Sequence, residues 1–396
     1  MNHHDVQSAS LAGPTTGFGT ATMAHLSYHG TQNDSYYVLG FRTIGAVTGN
    51  YVEASLNDNI LGAADNDYKI NELNATDYYN IPQIYNIPYV LGAANPNLDW
   101  TILDGVNPAS APNTFTDQDS CVVAIKAAAV TAISGLITIT TSSTSYGNEN
   151  YSGGPSGVTF NVPVAGDYII IAAAAVSKND ITANFLTKLV IDGVDHNEMT
   201  MRAITATNGY YIPFGCVRKV TLAAGTRTIS FQQKIVTSGT AILAQGTILV
   251  LRADNFAAVY YGETLGAQNT GLATYQDANT LTATAQNVAH IVLSSAVVNR
   301  ATTKAVLHKT IQDATDLTVG NNMSPQSNGA QMSSFCMAAV TPTAASHTWK
   351  QQFCRDATTG IPNANIKDCA LLVIQPADNA TVRILGGKIL GLAKIL

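Results

Sequence analysis

Two histidines, His25 and His29, stand four residues apart, a spacing at which a helix brings two imidazoles onto one face as metal ligands. Their surroundings, "TATMAHLSYHG", carry no helical periodicity, and in a strand or loop the two rings diverge. His3, His4, His196, His290, His308 and His347 are dispersed, and no C-x-x-C accompanies them, so no metal site is expected. A serine nucleophile needs a strand-to-helix elbow such as G-x-S-x-G. The nearest approach, "GGPSG" at Gly153–Gly157, has proline before the serine and reads as loop. The five cysteines (Cys121, Cys216, Cys336, Cys354, Cys369) sit in no nucleophile signature; their odd count and wide spacing read as buried thiols rather than a disulfide framework. Paired carboxylates suit glycoside hydrolysis, yet Glu53, Glu72, Glu149, Glu198 and Glu263 are spread over the chain. "DNDYKINE" (Asp65–Glu72) has the oxygen density of a calcium loop without its glycine and end spacing, and reads as a turn. No G-x-x-x-x-G-K-[ST] cradle is present. The expectation is a protein that is not an enzyme and takes no cofactor.

The elements that would position any site are strands. In "VTFNVPVAGDYIIIAAAAV", Val158, Phe160 and Val162 alternate with polar residues, the signature of a half-buried strand. Pro163 and Gly166 turn the chain into a second, continuous apolar run. "FLTKLVIDGVD" closes on the hairpin pair Asp192-Gly193; "VRKVTLAAGTRTISFQQ" gives two strands about Ala224-Gly225; "GTILVLRAD" reads as a buried strand.

The same order recurs. Leu281–Ile291 lies on Val158–Tyr168 without a gap, followed by "KAVLHKTIQDA", "SFCMAAVTPTAASHTWKQQF" and "CALLVIQPAD". A more divergent copy comes first, with "SYYVLGFRTI", "YVEASLNDNIL" and "CVVAIKA". Spacings agree better than letters: 88 residues from Tyr37 to Ile125, 83 from Tyr168 to Leu251 and 83 from Ile291 to Ile374. The reading is an all-β chain of three tandem antiparallel β-sandwiches of jelly-roll type: residues 1–130 with an N-terminal arm, 131–256 and 257–380, then an apolar tail, 381–396. No Pro/Gly/Ser linker divides them, which predicts a stiff rod or a compact stack.

Composition narrows the partners. The charged fraction is 12%, about half the usual ~25%, while 46% of residues are hydrophobic, enough for a core. A net charge of −6 with scattered Lys and Arg offers nucleic acid no basic face, and no run of about 20 apolar residues offers a membrane span. The opening "MNHHDVQSAS" lacks the basic-then-apolar pattern of a secretory signal, so either synthesis in a cytoplasm or prior removal of a signal is expected.

The segment from Val158 to Val176, with "IDG" and "VTLAAGTRTISF" after it, resembles the jelly-roll sandwiches of tumour necrosis factors and complement heads. That family's pattern, F-x-V-P-x-x-G-x-Y before a long strand and a v-x-L-x-x-G turn before a late one, is met by the second copy. Domains of this type occur in tailed-bacteriophage fibres, spikes and decoration proteins. The resemblance therefore implies a virion structural protein, made in the host cytoplasm, that works as a head decoration, head fibre or tail component. Implied partners are its own copies, as a homotrimer or larger homo-oligomer, and other virion proteins. The alternative is an adhesin binding carbohydrate, with a host-surface glycan as partner. Tyrosine suits such contacts, and Tyr36, Tyr78, Tyr79, Tyr85 and Tyr89 form the candidate surface. The tail "VRILGGKILGLAKIL" needs cover. Its Ile384, Ile389, Leu390, Leu392, Ile395 and Leu396 would either add a strand to a neighbour or fold back on the third sandwich.

Overall fold

An apolar run that does not alternate, such as Tyr168–Val176, needs cover on both faces. The computed structural model describes residues 20–27, 34–46, 51–57, 64–71, 78–91, 97–105, 115–146, 156–179, 184–202, 211–300, 306–318, 321–323, 330–356, 363–377 and 382–387. Among them are strands and two short 3-10 turns and no α-helix. The first set comprises β1 (Thr20–Ser27), β2 (Asp34–Ala46), β3 (Tyr51–Asn57), β4 (Ala64–Asn71), β5 (Tyr78–Leu91), β6 (Asn97–Gly105) and β7 (Phe115–Lys126). The second comprises β8 (Val130–Ile133), β9 (Ile137–Thr141), β10 (Gly157–Val162), β11 (Gly166–Lys178), β12 (Asn184–Ile191), β13 (Val194–Arg202), β14 (Ile212–Leu222), β15 (Gly225–Ile235) and β16 (Ala241–Arg252). The third comprises β17 (Ala258–Thr264), β18 (Gln268–Thr270), β19 (Gln276–Thr284), β20 (His290–Arg300), β21 (Val306–Gln312), β22 (Thr315–Asp316), β23 (Asn321–Met323), β24 (Gln331–Val340), β25 (Ser346–Arg355) and β26 (Ala364–Gln375). Last comes β27 (Val382–Gly387).

These strands form six antiparallel sheets in three equivalent pairs. The inner sheets run β5-β2-β7-β27, β14-β11-β16-β8 and β24-β20-β26-β17; the outer sheets run β1-β6-β3-β4, β10-β15-β12-β13 and β19-β25-β21-β22. The order is the same in all three units. Each unit's leading inner strand pairs with its last one: β8 with β16, β17 with β26. Among the described residues the first unit shows no such strand at its own start. Its place is filled by β27, which pairs antiparallel with β7. The described part of the tail takes neither course expected of it: residues 382–387 enter the sheet of the first unit of the same chain.

Burial explains the apolar run. Tyr168, Ile170, Ala172 and Ala174 pack with Phe185, Leu189, Ile229 and Phe231 of the outer sheet. Ile169, Ile171 and Ala173 belong to a different core, shared with Leu39, Phe41, Val123 and Ile125 of the first unit and Ile291, Leu293, Phe335, Leu372 and Ile374 of the third. Inner sheets are therefore covered on both faces, and β11 is buried throughout from Tyr168 to Lys178. Each such aliphatic side chain contributes roughly 1.5–3 kcal/mol on full burial. This shared core draws the described strands of all three units together, the compact stack rather than the rod.

The sequence spacings are cross-strand partners. Tyr37 pairs with Ile125, Ile169 with Leu251 and Ile291 with Ile374. Ile291 therefore corresponds to Ile169 and not to Tyr168, although Thr159–Thr228 and Thr282–Thr348 occupy matching positions one strand earlier. The gapless match is corrected by one residue, because nine positions separate Thr282 from Ile291 where ten separate Thr159 from Ile169. Asp192 and Gly193 take φ of 48° and 86°, the left-handed pair of a tight hairpin. "DNDYKINE" lies mostly in β4, a strand where a turn was expected.

Deleting residues 382–396 strips β7 of its outer neighbour. We expect the unfolding midpoint to drop by several degrees and amide exchange to rise across Phe115–Lys126, with β11 and β16 still protected; an unchanged midpoint and exchange pattern would contradict the pairing.

Candidate functional site

An edge strand carries a row of unpaired N–H and C=O groups, and burying it leaves each needing a partner. The inner edge strands β5, β14 and β24 are buried against one another around the shared core. Serine hydroxyls meet the need. Ser333 Oγ accepts from the Gly215 N–H at 3.0 Å and donates to the Gly215 carbonyl at 2.7 Å. Ser295 Oγ accepts from Val217 N–H at 3.1 Å. One hydroxyl thus serves as both donor and acceptor for a strand of another unit.

Register places Pro82, Gly215 and Phe335 at the same position of β5, β14 and β24, since each precedes by two the partner of Leu39, Ile171 or Leu293. A Cβ added to Gly215 would lie 2.6 Å from Phe335 Cβ, so the missing side chain makes room for that ring. Phe335 in turn lies 6.2 Å from the Phe41 ring.

Between the second and third units sits Arg218, fully buried. Its guanidinium donates to neutral acceptors: the Val217 carbonyl at 2.9 Å, the Asp368 carbonyl at 2.9 Å, Asn197 Oδ1, and His196 Nδ1 at 3.4 Å. Burial and the Arg218 charge hold His196 down to about 4, while burial pushes the Asp368 carboxyl up.

Between the first and third units the contact is polar and uncharged. Thr43 Oγ1 donates to Asn80 Oδ1 at 3.0 Å, and Asn80 Nδ2 donates to Ser334 Oγ at 3.2 Å and Cys336 Sγ at 3.8 Å. Behind Ser334 lies His308, with Nδ1 at 2.8 Å from that hydroxyl and 3.9 Å from Cys336 Sγ. Cysteine, histidine and asparagine are the types of a thiol nucleophile with its base. Here Cys336 is 1% and His308 0% exposed, and burial lowers the imidazole to about 4, too weak a base to take a thiol proton.

A second arrangement repeats on the outer sheets. Lys188 pairs with Asp195 at 2.7 Å under the Tyr146 ring, and Lys309 pairs with Asp316 at 2.6 Å under Tyr275. Asp192–Arg227 at 2.9 Å and Asp313–His347 at 2.7 Å also occupy matching hairpins. Each pair ties a hairpin or loop to the sheet, for about 0–1 kcal/mol.

Of the expected interaction surface, Tyr36 and Tyr85 are 1% and 2% exposed. They lie in strands of a sheet covered on both faces, which removes them from any recognition surface. Tyr78, Tyr79 and Tyr89 lie in β5 opposite Gly45, Ile44 and Tyr36; their side chains lie outside the described residues. Ile384 pairs with Val123, while Ile389, Leu390, Leu392, Ile395 and Leu396 fall outside the described residues. All five cysteines are buried and in no disulfide. Among the described residues no group of three or more metal-ligating side chains converges, and no helix is long and apolar enough to cross a membrane.

No protein-family model matches the chain, and no curated protein matches its sequence. Solved structures show loose likenesses. One is from an archaeal virus, reported as a triple jelly-roll fold with turret assembly: 11% identity, 89% of this chain, 92% of that chain, TM-score 0.21. Another is from Sulfolobus turreted icosahedral virus: 12% identity, 91% of each chain, TM-score 0.20. A third holds tandem carbohydrate-binding modules of a Streptococcus pneumoniae glycoside hydrolase: 8% identity, 65% and 85% covered, TM-score 0.16. At such scores they bear on neither function nor partners.

Gly215→Ala should cost about 1–3 kcal/mol in urea unfolding through overpacking, and Phe335→Ala should absorb much of that cost in a double-mutant cycle; additive effects would contradict the contact. Ser333→Ala, which strips the Gly215 amide of its acceptor, should cost about 1–3 kcal/mol; a neutral result would show that those groups find other partners.

Proposed function

We propose that the chain is a non-enzymatic virion structural protein of a bacteriophage, an accessory capsid decoration, head-fibre or tail component that acts by self-association and docking. In this reading residues 1–130, 131–256 and 257–380 are three jelly-roll sandwiches, with β27 returned to the first. The observation that carries it is the closure of three equivalent units about one core, with β27 completing the first unit's inner sheet as β8 and β17 complete the other two. Such a body suits a place in a symmetric assembly, because its outline approximates three-fold repetition while one chain sets every contact. The charged fraction of 12% adds little repulsion between copies. Its partners are further copies, as a trimer or larger ring, and other virion proteins. A glycan-binding adhesin is the weaker reading, having lost Tyr36 and Tyr85 from its aromatic platform.

Particles produced from the genome that encodes this chain should contain it at a fixed copy number by quantitative mass spectrometry. Light scattering of the purified protein should give a defined oligomer. Absence from the particles would sink the virion role, and a monomer at every concentration would sink self-association.

A further inference from the structure

On the side of each sandwich away from the shared core, the edge strands of its two sheets lie together: β8 beside β10 in the second unit, β17 beside β19 in the third. The opposite edges of the second unit, β13 and β14, pack instead on β24 of the third. Among the described residues β10 has β15 as its one strand neighbour, and β8 and β9 have β16. An open edge carries a row of free N–H and C=O groups. Phe231 N–H donates to the Ser156 carbonyl at 3.0 Å, and the Thr228 carbonyl accepts from Asp192 N–H at 2.9 Å on the other side of β15. Alternation along an antiparallel pair then directs the backbone groups of Val158, Phe160 and Val162 to β15, and turns those of Thr159 and Asn161 outward. Both of these residues are exposed.

The third unit closes the same side with its own side chains. Tyr260 Oη donates to the Thr284 carbonyl, Gln268 Nε2 to the Ala278 carbonyl and Asn279 Nδ2 to the Gly262 carbonyl, each at 2.7 Å. A bulge between Asp277 and Asn279 interrupts β19, and Asp277 and Glu263 bring charge to β19 and β17. Bulges and charges are the devices by which edge strands avoid pairing with other chains. In the second unit β10 has neither. Pairing with β16 and β26 places Ala132 where the third unit has Tyr260, and Ile139 where it has Gln268. Strand β10 pairs with β15 without a register shift, and residues 127–146 and 156–166 contain no charged side chain. Leu136, between β8 and β9, and Val164, just after β10, are exposed there.

We propose, resting on the self-association read above, that this side of the second sandwich is the surface through which two copies of the chain associate, with β10 pairing antiparallel to β10 of a second copy. A row of backbone groups is completed by another extended strand, and an edge without charge meets no repulsion from its own copy. Opposite residues of a strand pair share a face of the sheet, so a two-fold axis through Thr159 keeps the exposed faces together. The axis sets Thr159 against the second copy's Thr159. The row begun by the Thr159 and Thr228 hydroxyls, 3.2 Å apart, then runs on across the contact. Both open edges are used at once, and neither is left to template a further chain. Alone this contact makes a dimer; combined with a ring contact it makes a larger closed assembly.

The test is the mass of the full chain against concentration by sedimentation equilibrium. Thr159→Lys sets two ammonium groups against each other at the axis and should raise the dissociation constant of the contact about tenfold or more. Thr282→Lys, at the matching position of the third unit, should leave it unchanged. Association undiminished in Thr159→Lys, or weakened equally in Thr282→Lys, would overturn this surface and leave self-association standing. A monomer of the unaltered protein at every concentration would overturn both. Should Thr159→Lys not fold, hydrogen exchange of the unaltered protein decides. Amides of residues 157–162 should exchange severalfold more slowly as concentration rises while those of β19 hold constant; exchange in β10 independent of concentration would overturn the pairing.

Discussion

A β-sheet buried on both faces and along one edge has nowhere to hide a polar backbone, and the rest of this molecule follows from that constraint. Three inner sheets meet around one apolar core, and each brings an edge strand whose free amides and carbonyls leave water. Apolar neighbours could fill the space, but only hydroxyls and amides can fill it and complete the hydrogen bonding. This is why Ser295, Ser333 and Ser334, in strands otherwise made largely of Val, Ala and other apolar residues, stand fully or almost fully buried at the unit boundaries. The serines are as much part of the core as the isoleucines they adjoin.

The same constraint shapes the connections. A unit supplied with all its own strands could drift from its neighbours; here each is completed by a strand that follows directly from the unit before. The first unit, which opens the chain, is completed last. Order in sequence and order in space are the same circle cut at one point. The boundary chemistry differs around that circle: an arginine satisfied by neutral oxygens at one contact, an uncharged asparagine–serine–histidine chain at another.

Much of the architecture was legible in the residues. The unbroken run "YIIIAAAAV" signalled a strand covered on both sides, and the near-equal spacings ending at Ile125, Leu251 and Ile374 marked the pairing of a middle strand with a last one. Matching letters without gaps missed the one-residue difference between the two connections, Thr159 to Ile169 and Thr282 to Ile291, because a connection can shorten while the strands keep their partners. The destination of the tail was hidden for another reason: a strand's partner is chosen by the free edge available in the fold, and the incomplete sheet lay more than 250 residues upstream. The boundary contacts were less visible still. Asn80 meets Ser334 across 254 residues, and neither carries a local signal of it. Tyr36 and Tyr85 looked like surface material because tyrosine suits both rims and cores, and only the packing of the sheet decides.

The position shared by Pro82, Gly215 and Phe335 has a consequence for how this molecule could have come about. An exact rotational axis relating three identical chains would bring three copies of one residue to that point. Three phenylalanines would crowd it, and three glycines would leave it hollow. Joining the repeats end to end frees each to differ, so that one ring fills a space another repeat vacates. One chain thereby exchanges perfect symmetry for a better-filled contact, and a repeat carrying glycine at this position cannot stand in for the one carrying phenylalanine.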